Sequence, residues 1–354
     1  MDLLAAYGWN SDFAQHLGED GCIPARVISQ QRGRYWAVSA SGELSVQLSG
    51  RLRSRAAVPL ELPAVGDWLA VRLYPDRGMA IRVLPRKSVI ARGSAGRTTQ
   101  EQILAANVDT AFIVTTVDRD FNLRRMERYV SMIWSGGAQP VILLNKVDLC
   151  PDHSGRMAQC GLAFPGVGIH ALSALHDYGL DSLQAYLKSG RTAVMLGSSG
   201  VGKSTLLNRL VGRGLQRLGD VRAADQRGRH TTSSRQMFLL SSGGLLIDTP
   251  GLRELSLWNA APGLSRTFGD IEALSARCRF RDCRHRDEPE CAVLEALHSG
   301  LLNRSHYDNY IKLLKEQDYQ RRRDDPTMNA RTKRRWKSVT KDLRLIQKLK
   351  RGEE

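Results

Sequence analysis

Gly197-Ser198-Ser199-Gly200-Val201-Gly202-Lys203-Ser204-Thr205 matches G-x-x-x-x-G-K-[ST], directly after the apolar run Thr192-Ala-Val-Met-Leu and directly before a helical pattern over 203–211. That context is the one a phosphate-binding loop requires. Glycines let backbone N–H groups close around a β-phosphate, and the helix N-terminus adds its positive dipole. Lys203 can neutralise β- and γ-oxygens, which makes it a catalytic candidate, and Ser204 offers a magnesium ligand.

A second group reads a base. Asn145-Lys146-Val147-Asp148 closes another apolar run, Pro140-Val-Ile-Leu-Leu. Asp148 can accept from guanine N1 and the exocyclic N2, Lys146 can lie across the ring, and Asn145 can tie this loop to the phosphate loop. Adenine lacks that donor pair, and a site built on such bonds can reject the analogue by roughly 10⁴-fold. Ser173-Ala174-Leu175, at the next strand end, can supply a backbone N–H to guanine O6. The pieces together favour GTP over ATP. The base-reading half precedes the phosphate-binding half, the reverse of the ordinary order, and this points to a circularly permuted domain.

Asp248-Thr-Pro-Gly251 lies about fifty residues beyond the phosphate loop at a strand end. Its carboxylate can hold a magnesium shell through water, and the Gly251 N–H can sense the γ-phosphate. Between them runs a polar Gly/Arg-rich loop, 222–235, with Gly228-Arg-His-Thr-Thr232. A threonine here can complete magnesium coordination; spacing does not choose between Thr231 and Thr232, and Thr232 is the preferred reading. His230 is the nearest titratable group able to position an attacking water, with an exposed loop histidine as the plain alternative. Leu252 stands where many GTPases place a water-orienting glutamine, so slow intrinsic hydrolysis is expected.

Cys278-x₄-Cys283-x-His285-x₅-Cys291 sets three thiols and an imidazole within fourteen residues of polar sequence. Four soft or borderline ligands suit a closed tetrahedral structural zinc site with no open catalytic position. Free thiols beside a surface histidine are the alternative. Cys22, Cys150 and Cys160 are scattered and read as small buried or free residues.

Several elements must carry these groups. From 23 to about 85, five period-2 segments separated by turns at Ser41-Gly42 and Pro75-Asp-Arg-Gly78 predict a small barrel. Such a barrel binds oligonucleotides or serves only as structure; outward Arg32, Arg34, Arg51 and Arg53 lean toward nucleic acid. A Gly/Ser/Thr/Arg-rich linker follows. Apolar strands then alternate with helices near 123–134, 180–187 and 203–211, which predicts a parallel sheet covered on both faces. Segments 236–240 and 245–248 flank Ser241-Ser-Gly-Gly244 and read as a hairpin at the sheet edge, for six strands in all. Beyond about Trp258 the sequence turns helical and ends in a basic arm with Arg321-Arg-Arg, Lys333-Arg-Arg and Trp336. The resulting architecture is multidomain: residues 1–86, an N-terminal extension and barrel; 87–104, a linker; 105–257, the permuted α/β phosphate-loop domain; 258–354, a mainly α-helical zinc-binding domain with its arm.

The 354 residues exceed one comfortable core, which ends at roughly 250–300 residues. A formal net charge of +16 favours polyanions. No apolar run approaches the ~18 residues of a spanning helix, and Met1-Asp2-Leu3-Leu4 lacks a signal peptide's basic start, so a cytoplasmic location without membrane attachment is expected. The arm is either a solvated charge run or, with Trp336 beside Arg334-Arg335, a contact for rRNA.

Asn145–Asp148 ahead of 197–205, Gly228–Thr232, Asp248–Gly251 and the Cys278, Cys283, His285, Cys291 spacing together resemble the ribosome small-subunit-dependent GTPase A family over nearly the whole chain. The resemblance implies an oligonucleotide-binding (OB) fold at the N-terminus, a permuted GTPase using magnesium with GTP, and a zinc domain. It implies a monomer that docks on the small ribosomal subunit and its rRNA late in assembly, with hydrolysis stimulated by the subunit. His230 falls where that family's proposed catalytic histidine lies. A GTP-dependent factor for another target, and an RNA-binding scaffold with a structural nucleotide site, are the competing readings.

Overall fold

The computed structural model describes residues 2–18, 21–31, 34–55, 61–93, 101–118, 120–150, 152–212, 235–249 and 261–324. His230, Thr231, Thr232, Gly251, Leu252, Arg32 and the basic arm beyond 324 lie outside the described residues. The chain forms two compact units that divide between Ala273 and Leu274.

Two short helices, α1 (Leu3–Ala6) and α2 (Ser11–Ala14), precede the alternating region. That region forms β1 (Ile23–Gln31), β2 (Arg34–Ser39), β3 (Gly42–Leu48), the helix α3 (Gly50–Arg55), β4 (Trp68–Leu73) and β5 (Gly78–Val83). β1 pairs with β2, β2 with β3, β3 in parallel with β5, β5 with β4, and β4 back onto β1. The strands therefore close into a barrel. Val27, Val46, Val71 and Ala80 fill it, and Trp68 is capped by Trp9 and Phe13 from the N-terminal segment.

Within the segment read as a linker, β6 (Val89–Gly93) and β7 (Glu101–Ala106) pair as a separate two-stranded sheet. The loop before β4 passes so close to the end of β7 that a Cβ on Gly66 would lie 2.0 Å from the Ala106 carbonyl oxygen. Only glycine fits there, and its φ of +99° lies where other residues are strained.

The second half of this unit holds β8 (Thr110–Thr116), α4 (Leu123–Ser135), β9 (Gln139–Asn145), α5 (Ser154–Ala163), β10 (Gly168–Ala171), β11 (Thr192–Leu196), α6 (Lys203–Gly212), β12 (Arg235–Leu239) and β13 (Leu245–Asp248). Their order is β10-β9-β8-β11-β13-β12, parallel except for the antiparallel β12. The strands are near-continuous apolar runs because both faces are covered. Phe112, Leu143, Met195, Leu206 and Leu246 belong to one buried cluster. The helix expected near 180–187 is a 3₁₀ turn, Leu180–Ala185, while α5 was hidden by Gly155 and Gly161 in its sequence.

The 236–240 strand is not a free edge. β1 leaves its pairing with β4 after Arg26, shifts register between Val27 and Ser29, and continues onto β12 through Ser29–Gln236 and Gln30–Arg235. Barrel and parallel sheet thus share one eleven-stranded sheet. Beyond 260, α7 (Ala261–Thr267) lies on α4, with Gly263 N–H donating to Ser135 Oγ at 3.0 Å and Arg266 stacked on Trp134. The helices α8 (Gly269–Ser275), α9 (Ala292–His298) and α10 (Arg304–Asp324) follow.

Candidate active site

Five parallel strands end on one edge of the sheet, at Thr116, Asn145, Ala171, Leu196 and Asp248. In doubly wound sheets ligands bind in the crevice outside these carboxyl ends. The phosphate loop leaves β11 there, with Gly197, Gly200 and Gly202 at φ of 147°, 84° and 97°. A Cβ at Gly202 would lie 2.3 Å from Asn145 Nδ2, so the 145–148 loop and the 197–205 loop meet at this residue.

Lys203 opens α6 and is buried at 8% exposure. Its ammonium donates to the Gly197 and Ser198 carbonyls at 2.9 and 2.5 Å and so lies over the loop. Burial lowers its pKa, and the nearby carboxylates of Asp248 and Asp120 oppose that shift. Ser204 and Thr205 are exposed in the first turn of α6, and Ser199 and Gly200 are exposed in the loop. Val201 is buried.

Asn145 is the hinge of the arrangement. Its Nδ2 donates to the Val201 carbonyl at 2.8 Å and its Oδ1 accepts from Ala174 N–H at 3.0 Å. Lys146, left-handed at φ 63°, donates from Nζ to the Gly200 carbonyl at 2.8 Å. Val147 is buried, and Asp148 Oδ1 accepts from Ser173 Oγ at 2.5 Å. The three motifs that sequence spacing singled out are therefore brought together by direct bonds. Asp248 ends β13, and the following Thr249 donates from Oγ1 to the Met195 carbonyl at 2.8 Å, tying the end of β13 to β11.

Several residues at this edge carry no motif. Arg125, on α4, donates to Ser198 Oγ and to Asp120 Oδ1. Thr116 donates to the Asp118 carboxylate and, with the Asp120 N–H, holds it below the usual range. His176 Nε2 stands 3.9 Å from Asp148 Oδ2, and Arg209 reaches the Ala174 and Leu175 carbonyls from α6. The one sequence signal was position: all but Arg125 lie within five residues of a motif or strand end.

In the second compact unit the ligand atoms of Cys278, Cys283, His285 and Cys291 all lie within 4.8 Å of one another. His285 Nδ1 is 3.6, 3.4 and 3.3 Å from the sulfurs of Cys278, Cys283 and Cys291, and Cys278 and Cys291 Sγ are 3.8 Å apart. Metal–sulfur and metal–nitrogen bonds of about 2.3 and 2.0 Å put the corners of a tetrahedron about 3.5–3.8 Å apart. The cluster fits a metal ion. Its outer partners are in place, since Ser275 Oγ lies 2.7 Å from His285 Nε2 and fixes the ring. By contrast Cys160 is an isolated buried thiol, pushed up to about 12 by burial, and Cys22 is buried as well.

The RsgA GTPase family model matches residues 83–258. The small ribosomal subunit biogenesis GTPase RsgA of Opitutus terrae is 42% identical over 360 residues, covering 98% of both chains. The chain belongs to the RsgA GTPase family. The protein of the same name from Methanosarcina acetivorans is 42% identical over 347 residues, 96% of this chain and 92% of that one. Among solved structures, YjeQ from Thermotoga maritima superposes with a TM-score of 0.62 at 26% identity, covering 83% of this chain and 98% of that one. YloQ, described as a circularly permuted GTPase, gives 0.58 at 25% identity, covering 85% and 96%. This RsgA-family chain is thus a GTP-hydrolysing enzyme with a circularly permuted GTPase fold and an N-terminal β-barrel. Among its described residues no helix is long and apolar enough to cross a membrane.

Proposed function

We propose that this enzyme acts in the maturation of the small ribosomal subunit, hydrolysing GTP to GDP and phosphate under stimulation by that subunit. The relatives' names carry the partner, and their similarity runs the length of both chains. The observation that carries the site is Asn145, whose one amide group joins the phosphate loop to the 173–175 turn. In this reading Asp148 takes guanine N1 and N2, Lys146 covers the base, and a backbone N–H of the turn takes O6. Gly197 through Thr205 cradle the phosphates and Lys203 neutralises them.

Magnesium would be held by Ser204 and, through water, by Asp248, with Thr232 completing the shell and His230 placing the attacking water. When bound, the ion neutralises charge developing between the β- and γ-phosphates. The donors fit it: a hydroxyl at the start of α6 and a carboxylate at the end of β13, on the same edge of the sheet. Gly251 N–H would report on the γ-phosphate.

The Cys278, Cys283, His285, Cys291 cluster is read as a structural zinc site, because three thiolates and an imidazole leave no coordination position for chemistry. The barrel's closure in the order β1-β2-β3-β5-β4 supports an OB fold, and exposed Arg34, Arg51 and Arg53 give it an RNA-facing charge. A cytoplasmic monomer that contacts rRNA completes the proposal. The experiment is GTP turnover by the full chain with and without purified small subunits. Strong stimulation supports the reading, and turnover indifferent to the subunits rejects it.

A further inference from the structure

The base-reading turn is gripped from a direction that the nucleotide motifs do not specify. Arg209, in α6, donates from Nε to the Ala174 carbonyl at 3.2 Å and from Nη2 to the Leu175 carbonyl at 2.8 Å. Six residues at 1.5 Å rise set it about 9 Å along the helix axis from Lys203. One helix therefore meets the phosphate loop at its first residue and the base turn about 1.7 turns later.

Peptide geometry gives this grip a consequence. A trans peptide points its N–H opposite to its carbonyl, so fixing Ala174 O fixes the direction of Leu175 N–H, and fixing Leu175 O fixes that of His176 N–H. The preceding plane is held by Ala174 N–H on Asn145 Oδ1 at 3.0 Å, and His176 N–H on Ser173 Oγ at 3.2 Å holds the 175–176 plane from its other side. Each peptide plane between Ser173 and His176 is thus set by a side chain. A donor aimed in advance loses less on binding than one that must be ordered by the ligand.

We propose that Arg209 is a positioning residue for guanine selection, holding the 173–176 turn so that the Leu175 backbone N–H faces O6 of the base. The proposal rests on the reading of 145–148 and 173–175 as the guanine site. It draws on the planar guanidinium fork, whose Nε and Nη2 each serve one carbonyl, an arrangement that a single ammonium nitrogen reproduces less well. Arg209 is exposed while Leu206 and Leu207 form the buried face of α6, so its removal leaves the packing in place.

The test is equilibrium binding of three diphosphates to the full chain, wild type, Arg209→Ala and Arg209→Lys. GDP carries O6 and the 2-amino group, IDP lacks only the 2-amino group, and 2-aminopurine riboside diphosphate lacks O6 and the N1 proton. In Arg209→Ala the preference for GDP over the 2-aminopurine nucleotide should fall about tenfold, the scale of one hydrogen bond, while the GDP-to-IDP ratio holds; Arg209→Lys should fall between. Equal loss for all three, no loss, or a matching change in the GDP-to-IDP ratio would overturn the assignment. If the wild type does not distinguish GDP from the 2-aminopurine nucleotide, the guanine site itself is misread and the inference goes with it.

Discussion

Arg26 on β1 donates from its guanidinium to Thr192 Oγ1 at 2.9 Å, joining the barrel to the first residue of the strand that ends in the phosphate loop. Arg26 is buried at 2% exposure and also serves the carbonyls of Tyr7, Gly66 and Asn107. Burial pulls its pKa down to about 10. Its four acceptors come from the N-terminal extension, the barrel, the end of β7 and β11. It is therefore a joint between parts that the sequence presents as separate. Arg26→Met should cost about 3–5 kcal/mol, since it strands buried acceptors. Urea unfolding should show the loss as one shifted transition for barrel and GTPase together, and a separate early barrel transition would contradict the shared-sheet view.

Asn145 supports a prediction on binding rather than stability. Replacing it with alanine removes both the Val201 and the Ala174 bonds, so the phosphate loop and the base turn lose their common support. Two buried hydrogen bonds are worth about 2 kcal/mol, or about 30-fold in affinity. A titration with fluorescent GDP measures it. Affinity within twofold of wild type would mean that each loop holds its own shape.

The barrel strands and the placing of Asn145–Asp148 and Gly197–Ser204 at strand ends were legible because both are local: period-2 alternation fixes which side of a strand is buried, and each motif follows its own apolar run. The β1–β12 pairing was not. It joins Ser29 to Gln236 across two hundred residues, and neither segment's pattern records the partner. Arg26 failed for a related reason, since within β1 it reads as an ordinary strand charge and only its distant acceptors make it a buried hub. Arg125 and Arg209 sit on helices as exposed-face arginines do everywhere, and their carbonyl and hydroxyl partners come from loops far away in sequence.

The metal cluster predicts a local rather than global response. Purified protein should contain one zinc per chain, released by a strong chelator or by Cys283→Ser. The chain from Leu274 forms its own compact unit, and there the cluster ties the mostly exposed 276–290 loop to Cys291 at the start of α9. Limited proteolysis after chelation should cut within 276–291 while GDP binding by the first unit persists. Zinc-free protein that resists cleavage there would remove the structural role.

Asp109 gives a pH dependence with a defined sign. It accepts from Thr192 N–H at 2.8 Å and from Lys87 and Arg191 at 2.9 Å each. Burial alone would raise its carboxyl, but these donors outweigh it and hold the folded-state pKa below the ordinary value. The folded state therefore binds fewer protons than the unfolded one. This stabilisation is complete above the unfolded pKa of about 4 and is lost as pH falls through the lower folded value. Asp67 has the opposite sign, because burial raises its carboxyl despite the Arg86 ion pair. Comparison with Asp109→Asn isolates the effect: below about pH 4 the wild-type urea midpoint should fall more steeply than the variant's. Parallel acid limbs would show that Asp109 contributes no pH-dependent stability.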